Sequence, residues 1–151
     1  MRVALIPGKA YRIRSSEGVN VTMFENPVRW GYPAAVQDII QKPVDLNEML
    51  VKNRQSSFVF VAEGSSMEGE HIPEGALLVV DTSVTPRTGH IVLADLNGEF
   101  TLKKIDFKLM RLLPANDAYE PIVLQDGMVL KICGVVTNII INPYLPFVVN
   151  R

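Results

Sequence analysis

The residues of this chain whose type and sequence setting together suggest bond chemistry are few. They are the serines of Gly64-Ser65-Ser66-Met67, the adjacent lysines Lys103 and Lys104, and the lone thiol of Cys133. A serine hydroxyl is a weak nucleophile until a neighbouring base takes its proton. Both histidines are poor candidates for that base: His71 lies in a loop rich in Gly, Glu and Pro, and His90 opens a strand after Gly89. A lysine is the other candidate. In Glu99-Phe100-Thr101-Leu102-Lys103-Lys104-Ile105, strand alternation places Phe100, Leu102 and Lys104 on one face. Glu99, Thr101, Lys103 and Ile105 fall on the other. One of the two lysines must therefore point towards apolar neighbours. It is either a solvated edge lysine that guards against strand pairing or a lysine desolvated enough to be neutral. Lowering its pKa from ~10.4 to ~7 costs roughly 4–5 kcal/mol, which burial can impose. A neutral lysine can then act as general base to a serine. Spacing alone does not join Ser66 to Lys103, and Gly-Ser-Ser after a strand is also an ordinary turn. Met67 reads as core, and Cys133, in mid-strand, as a small hydrophobe.

These residues need a rigid frame, and the chain from Ser57 onward supplies strands in series. Phe58–Ala62, Leu77–Val80, His90–Leu96, Glu99–Ile105, Leu109–Leu113, Ile122–Leu124 and Met128–Ile141 are apolar or alternating runs broken by turn residues. Asn97-Gly98 between two such runs is the strongest short signal for a hairpin. About seven strands without helix–strand alternation predict a mostly β domain. Asp45 with Glu48 three residues later predicts one short helix. The first 43 residues hold only short apolar pieces broken by Pro7-Gly8, Ser15-Ser16 and Asn26-Pro27, which predicts an extended arm ordered by whatever it lies on. One or two helical turns are expected after Pro33. The expected division is an arm over 1–43 and a β domain over 44–151.

The totals exclude several classes. With 151 residues, 48% of them apolar, the chain can bury one substantial core. A net charge of −1 leaves no electrostatic footprint for a nucleic-acid backbone, so direct sequence-specific DNA binding is not expected. No apolar run approaches membrane-spanning length, and the four apolar residues Val3–Ile6 are too short for a signal peptide. One cysteine and two histidines rule out a Cys/His zinc site. A cytoplasmic protein without metal or cofactor is expected.

The ordered series Gly64-Ser65-Ser66-Met67, Ile72-Pro73-Glu74-Gly75-Ala76-Leu77-Leu78-Val79-Val80-Asp81, Gly89-His90-Ile91-Val92 and Asn97–Ile105 closely resembles the self-cleaving LexA/UmuD serine peptidases. Leu113-Pro114-Ala115-Asn116-Asp117-Ala118-Tyr119-Glu120-Pro121-Ile122 and Gly134-Val135-Val136 extend the likeness to about 110 residues. The resemblance implies Ser66 as nucleophile and Lys103 as its base, with Lys104 facing away. Backbone N–H groups of Ser66 and Ser65 would hold the oxyanion. Trp30-Gly31-Tyr32-Pro33 ahead of Asp45-Leu46-Asn47-Glu48-Met49-Leu50 resembles the UmuD branch, which implies self-cleavage at Trp30-Gly31. A glycine after the cut bond lets the backbone approach the nucleophile. Trp30 departs from the small residue usual in the family, as do Ser65 and Ala76 from acidic residues. The resemblance further implies a homodimer and stimulation by a recombinase filament on single-stranded DNA. The cut product would be an accessory subunit of a Y-family translesion polymerase in the SOS response. The alternative is an uncleaved dimeric binding module that acts through its intact arm.

Overall fold

The computed structural model describes residues 2–4, 10–12, 20–24, 41–144 and 148–150. Trp30, Gly31 and the helical turns expected after Pro33 lie outside the described residues. The strands are β1 (Arg2–Ala4), β2 (Ala10–Arg12), β3 (Asn20–Phe24), β4 (Gln41–Asp45), β5 (Ser57–Val61) and β6 (Leu77–Asp81). They continue as β7 (Ile91–Leu96), β8 (Glu99–Asp106), β9 (Arg111–Leu113), β10 (Ile122–Val123), β11 (Leu130–Ile140) and β12 (Val148–Asn150). The one α-helix among the described residues is α1 (Leu46–Leu50). The protein is mostly β, as its apolar runs predict.

Packing divides the chain into two units, residues 15–52 and residues 1–14 with 53–151. In the first, β3 and β4 pair antiparallel and α1 follows directly. Asp45 stops the strand and starts the helix, because its side chain accepts the N–H of Asn47 at 2.8 Å and satisfies an otherwise orphaned donor.

The second unit is built on an eight-stranded sheet in the order β10-β9-β8-β7-β11-β6-β5-β2. Its pairs are antiparallel, and seven of its strands are those expected after Ser57. The short β2 pairs with β5 as the eighth strand, and β1 pairs separately with β12. Asn97 and Gly98 take φ of 53° and 90°, the doubly left-handed turn that matches the twist of a two-residue hairpin between β7 and β8. β11 inserts between β6 and β7, with register shifts between Ile132 and Gly134 and again between Val136 and Asn138. Gly134 is required there, since a Cβ would come within 2.6 Å of the Val80 side chain.

Alternation along the strands creates two apolar clusters. One gathers Phe60, Ala62, Met67, Ile72, Ala76, Leu78, Val80 and Leu93. The other gathers Val92, Ala94, Ile105, Leu112 and Val135. Two buried carboxylates fix strand ends. Asp81 Oδ1 accepts Ser56 Oγ (2.7 Å), Ser83 N–H (2.8 Å) and Ser83 Oγ (2.7 Å). Asp106 Oδ1 accepts the N–H groups of Lys108 and Leu109, and its Oδ2 accepts Arg111 Nε at 3.0 Å. That clamp, with Met110 at a φ of 45°, makes residues 107–110 a turn. β9 therefore begins at Arg111 rather than at Leu109, as the apolar run had suggested.

Candidate active site

β5 delivers the chain to Ala62, whose N–H donates to Ala76 O at 2.9 Å while Ala62 O accepts Gly75 N–H at 2.8 Å. Residues 63–74 thus form a loop pinned at its base. Gly64 has a φ of +80°, a conformation that suits glycine, and turns the chain into Ser65-Ser66. The buried side chains of Met67 and Ile72 anchor the loop in the first apolar cluster, and a single 3-10 turn runs over Glu68–Glu70. Met67 is core, as its sequence context suggests.

Lys103 comes from β8. Its Nζ donates to Ser66 Oγ at 2.7 Å and to Leu102 O at 3.2 Å. The residue is only 8% exposed, so the solvated edge lysine does not describe it. Burial holds the ammonium below its ordinary pKa, because removal from water penalises the charged form. Among the described residues no carboxylate forms an ion pair with it. Lys104 is taken by Glu70 in an ion pair with the 3-10 turn.

Ser66 and Lys103 line a cleft of about 380 Å³. Its walls include Phe60, Leu93, Phe100, Leu102 and Tyr119, so the polar pair sits in largely apolar surroundings. The loop after β9 closes one side. Ala115 N–H donates to Ser66 O at 2.7 Å, Gly69 N–H donates to Ala115 O at 2.7 Å, and Asn116 Nδ2 donates to Ser65 O at 2.9 Å. The hydroxyls of Ser65 and Tyr119 are hydrogen-bonded at 3.1 Å. Among the described residues no protein acceptor takes the N–H of Ser65 or Ser66, and both residues line the cleft. Neither histidine lines the cleft: His71 is exposed in a left-handed conformation, and His90 Nδ1 accepts the N–H of Arg87. Cys133 is half-buried against the first cluster.

The family resemblance pairs Ser66 with Lys103 and leaves Asn116, Tyr119 and the Glu70–Lys104 pair without roles. A serine hydrogen-bonded to a buried lysine is an arrangement that can pass a proton from hydroxyl to amine. No helix among the described residues is long and apolar enough to cross a membrane.

Known proteins carry the same chain pattern. Protein SamA of Salmonella typhimurium is 36% identical over 111 residues, covering 73% of this chain and 77% of that protein. Protein MucA of Escherichia coli is 34% identical over 117 residues, covering 74% and 78%. The LexA repressor of Clostridioides difficile is 34% identical over 135 residues, covering 85% of this chain and 63% of the repressor. The Peptidase S24-like family matches residues 23–137, a span that holds the loop of Ser66, the strand of Lys103 and the 115–119 segment alike. With the family pattern covering most of its length, this chain belongs to the Peptidase S24-like family.

Proposed function

We propose that this protein is a serine peptidase that cuts its own Trp30-Gly31 bond with a Ser66–Lys103 dyad. One observation carries the reading: a buried lysine with no ion-pair partner among the described residues stands 2.7 Å from a serine hydroxyl at a cleft. Neutral Lys103 takes the Ser66 proton as Oγ bonds to the Trp30 carbonyl carbon. The carbonyl oxygen becomes an oxyanion held by the N–H groups of Ser66 and Ser65. As the intermediate collapses, the C–N bond breaks and the Lys103 ammonium protonates the leaving Gly31 amine. Water, deprotonated in turn by Lys103, then releases the acyl arm. In this reading residues 1–43 are the arm that carries the bond, and 44–151 the peptidase domain.

For the biological role we infer a UmuD-type protein, a reading that the similarity to SamA and MucA supports. The cleaved protein acts in error-prone repair as the accessory subunit of a Y-family polymerase in the cytoplasm. It works as a homodimer, and a recombinase filament on single-stranded DNA stimulates its cleavage.

Intact-mass spectrometry of the purified protein held at alkaline pH tests the activity. Loss of residues 1–30 is expected, and Ser66→Ala and Lys103→Ala proteins should stay intact. A wild-type chain that remains whole even with filament and nucleotide added overturns self-cleavage and leaves the uncleaved binding module.

A further inference from the structure

The segment after β9 is tied to the serine turn by four hydrogen bonds, and one of them runs from a side chain to the turn's backbone. Asn116 Nδ2 donates to the carbonyl of Ser65 at 2.9 Å, an oxygen that also accepts the N–H of Glu68 at 3.2 Å. The Ser65 carbonyl and the Ser66 N–H belong to one peptide plane, and in a trans peptide they point in opposite directions. Fixing the oxygen therefore fixes the direction of the N–H. The Ser66 N–H meets no protein acceptor among the described residues, and its residue lines the cleft. Asn116 is itself held. Its Oδ1 accepts Ala118 N–H at 2.9 Å and its carbonyl accepts Tyr119 N–H at 3.0 Å, so the amide donor faces Ser65 and cannot flip without losing a bond.

We infer that Asn116 is a positioning residue: it locks the Ser65–Ser66 peptide plane so that the Ser66 N–H stands ready for the charge that develops on the scissile carbonyl oxygen. The inference rests on the reading of Ser66 as nucleophile. It adds a side chain 50 residues away in sequence to the machinery, acting through the backbone rather than on the substrate. Removing an oxyanion donor outright costs about 10²–10³ in rate. Releasing the plane that carries one should cost roughly 10–100-fold.

A fluorophosphonate probe tests this on the full chain without needing the arm. Ser66 Oγ forms a bond to phosphorus, fluoride leaves, Lys103 takes the hydroxyl proton, and the phosphoryl oxygen occupies the oxyanion position. Labelling is read as added mass against pH. Asn116→Ser adds no charge near Lys103, can still accept Ala118 N–H through its hydroxyl, and loses the amide donor to Ser65. It should label 10–100-fold more slowly than wild type, with an unchanged pH midpoint because Lys103 is untouched. Labelling within threefold of wild type, or a displaced midpoint, overturns the positioning role while leaving the nucleophile in place. Equal labelling of a Ser66→Ala protein sinks the nucleophile reading and the inference with it. One measurement needs no variant: the Ser66 amide proton of wild-type protein should move downfield in the NMR spectrum of the adduct. An unmoved resonance overturns the inference even if the Asn116 variant does not fold.

Discussion

Lys103 donates to the hydroxyl of Ser66 and to the carbonyl of Leu102, but to no carboxylate among the described residues. Its charge is therefore opposed by burial and not rescued by a partner. The pKa in the folded state lies below the ordinary 10.5. If the neutral amine is the base, unstimulated self-cleavage rises with pH and levels off below 10.5. A rate flat from pH 6 to 10 would exclude a titrating lysine.

The same displacement has a stability consequence. Between the folded and unfolded pKa values the unfolded chain binds more protons, so stability rises with pH there, and the full penalty applies below the folded pKa. Lys103→Met keeps the stem without the charge. It should raise the melting temperature by about 2–4 °C near pH 7, and the gain should shrink as pH approaches 10.5. A gain equal at pH 7 and pH 10.5 would place the effect in packing instead.

Asp81 behaves in the opposite sense. Burial raises its pKa, but the hydrogen bonds from Ser83 and Ser56 outweigh it, so the folded value lies below 3.8. Its contribution is present above pH 3.8 and is lost as pH falls through the folded pKa. Asp81→Asn should cost about 1–3 kcal/mol at pH 7, and the difference from wild type should narrow in urea titrations at pH 3. A constant difference at both pH values would contradict the ionised clamp.

Two glycines are predicted to separate folding from chemistry. A Cβ on Gly134 would meet the Val80 side chain at 2.6 Å, and one on Gly69 would meet the Ala115 carbonyl oxygen at 2.0 Å. Gly134→Ala should destabilise the sheet by about 1–3 kcal/mol. Gly69→Ala should instead push the 115–119 segment from the serine turn and slow cleavage at least tenfold in protein that remains folded by circular dichroism. Cleavage at the wild-type rate would mean that this contact does not shape the site.

Trp30 supplies a prediction from sequence. If the indole strains a site suited to a small residue, Trp30→Ala should speed cleavage about tenfold, equal to about 1.4 kcal/mol. Slower cleavage of that variant in the same mass-spectrometric time course would make Trp30 a docking residue.

The sheet was legible where local chemistry decides structure. Asn97-Gly98 announces its turn, Asp45 its cap, and Phe58–Ala62 and Leu77–Val80 their strands. Alternation also shows that Lys103 and Lys104 must part. It does not show that both reach the same loop, Lys103 meeting Ser66 and Lys104 meeting Glu70. Those contacts depend on how a 12-residue excursion folds back over the sheet, and no periodicity encodes that. Asn116 is hidden for the same reason. Its partner lies 51 residues earlier, and Asn in a Pro-Ala-Asn-Asp loop ordinarily signals a turn.

The place of β11 in the sheet sets a timetable. Ser66 follows β5 and Lys103 lies on β8, and β11 is the strand that joins the β5–β6 pair to β7–β8. It spans residues 130–140, after both Ser66 and Lys103 in the chain. A nascent chain that already contains Ser66 and Lys103 still lacks the strand that joins their two strand pairs in one sheet. Under the proposed mechanism, a polypeptide cut short before β11 would carry both residues without the strand that unites their two strand pairs, and it should be unable to cleave itself.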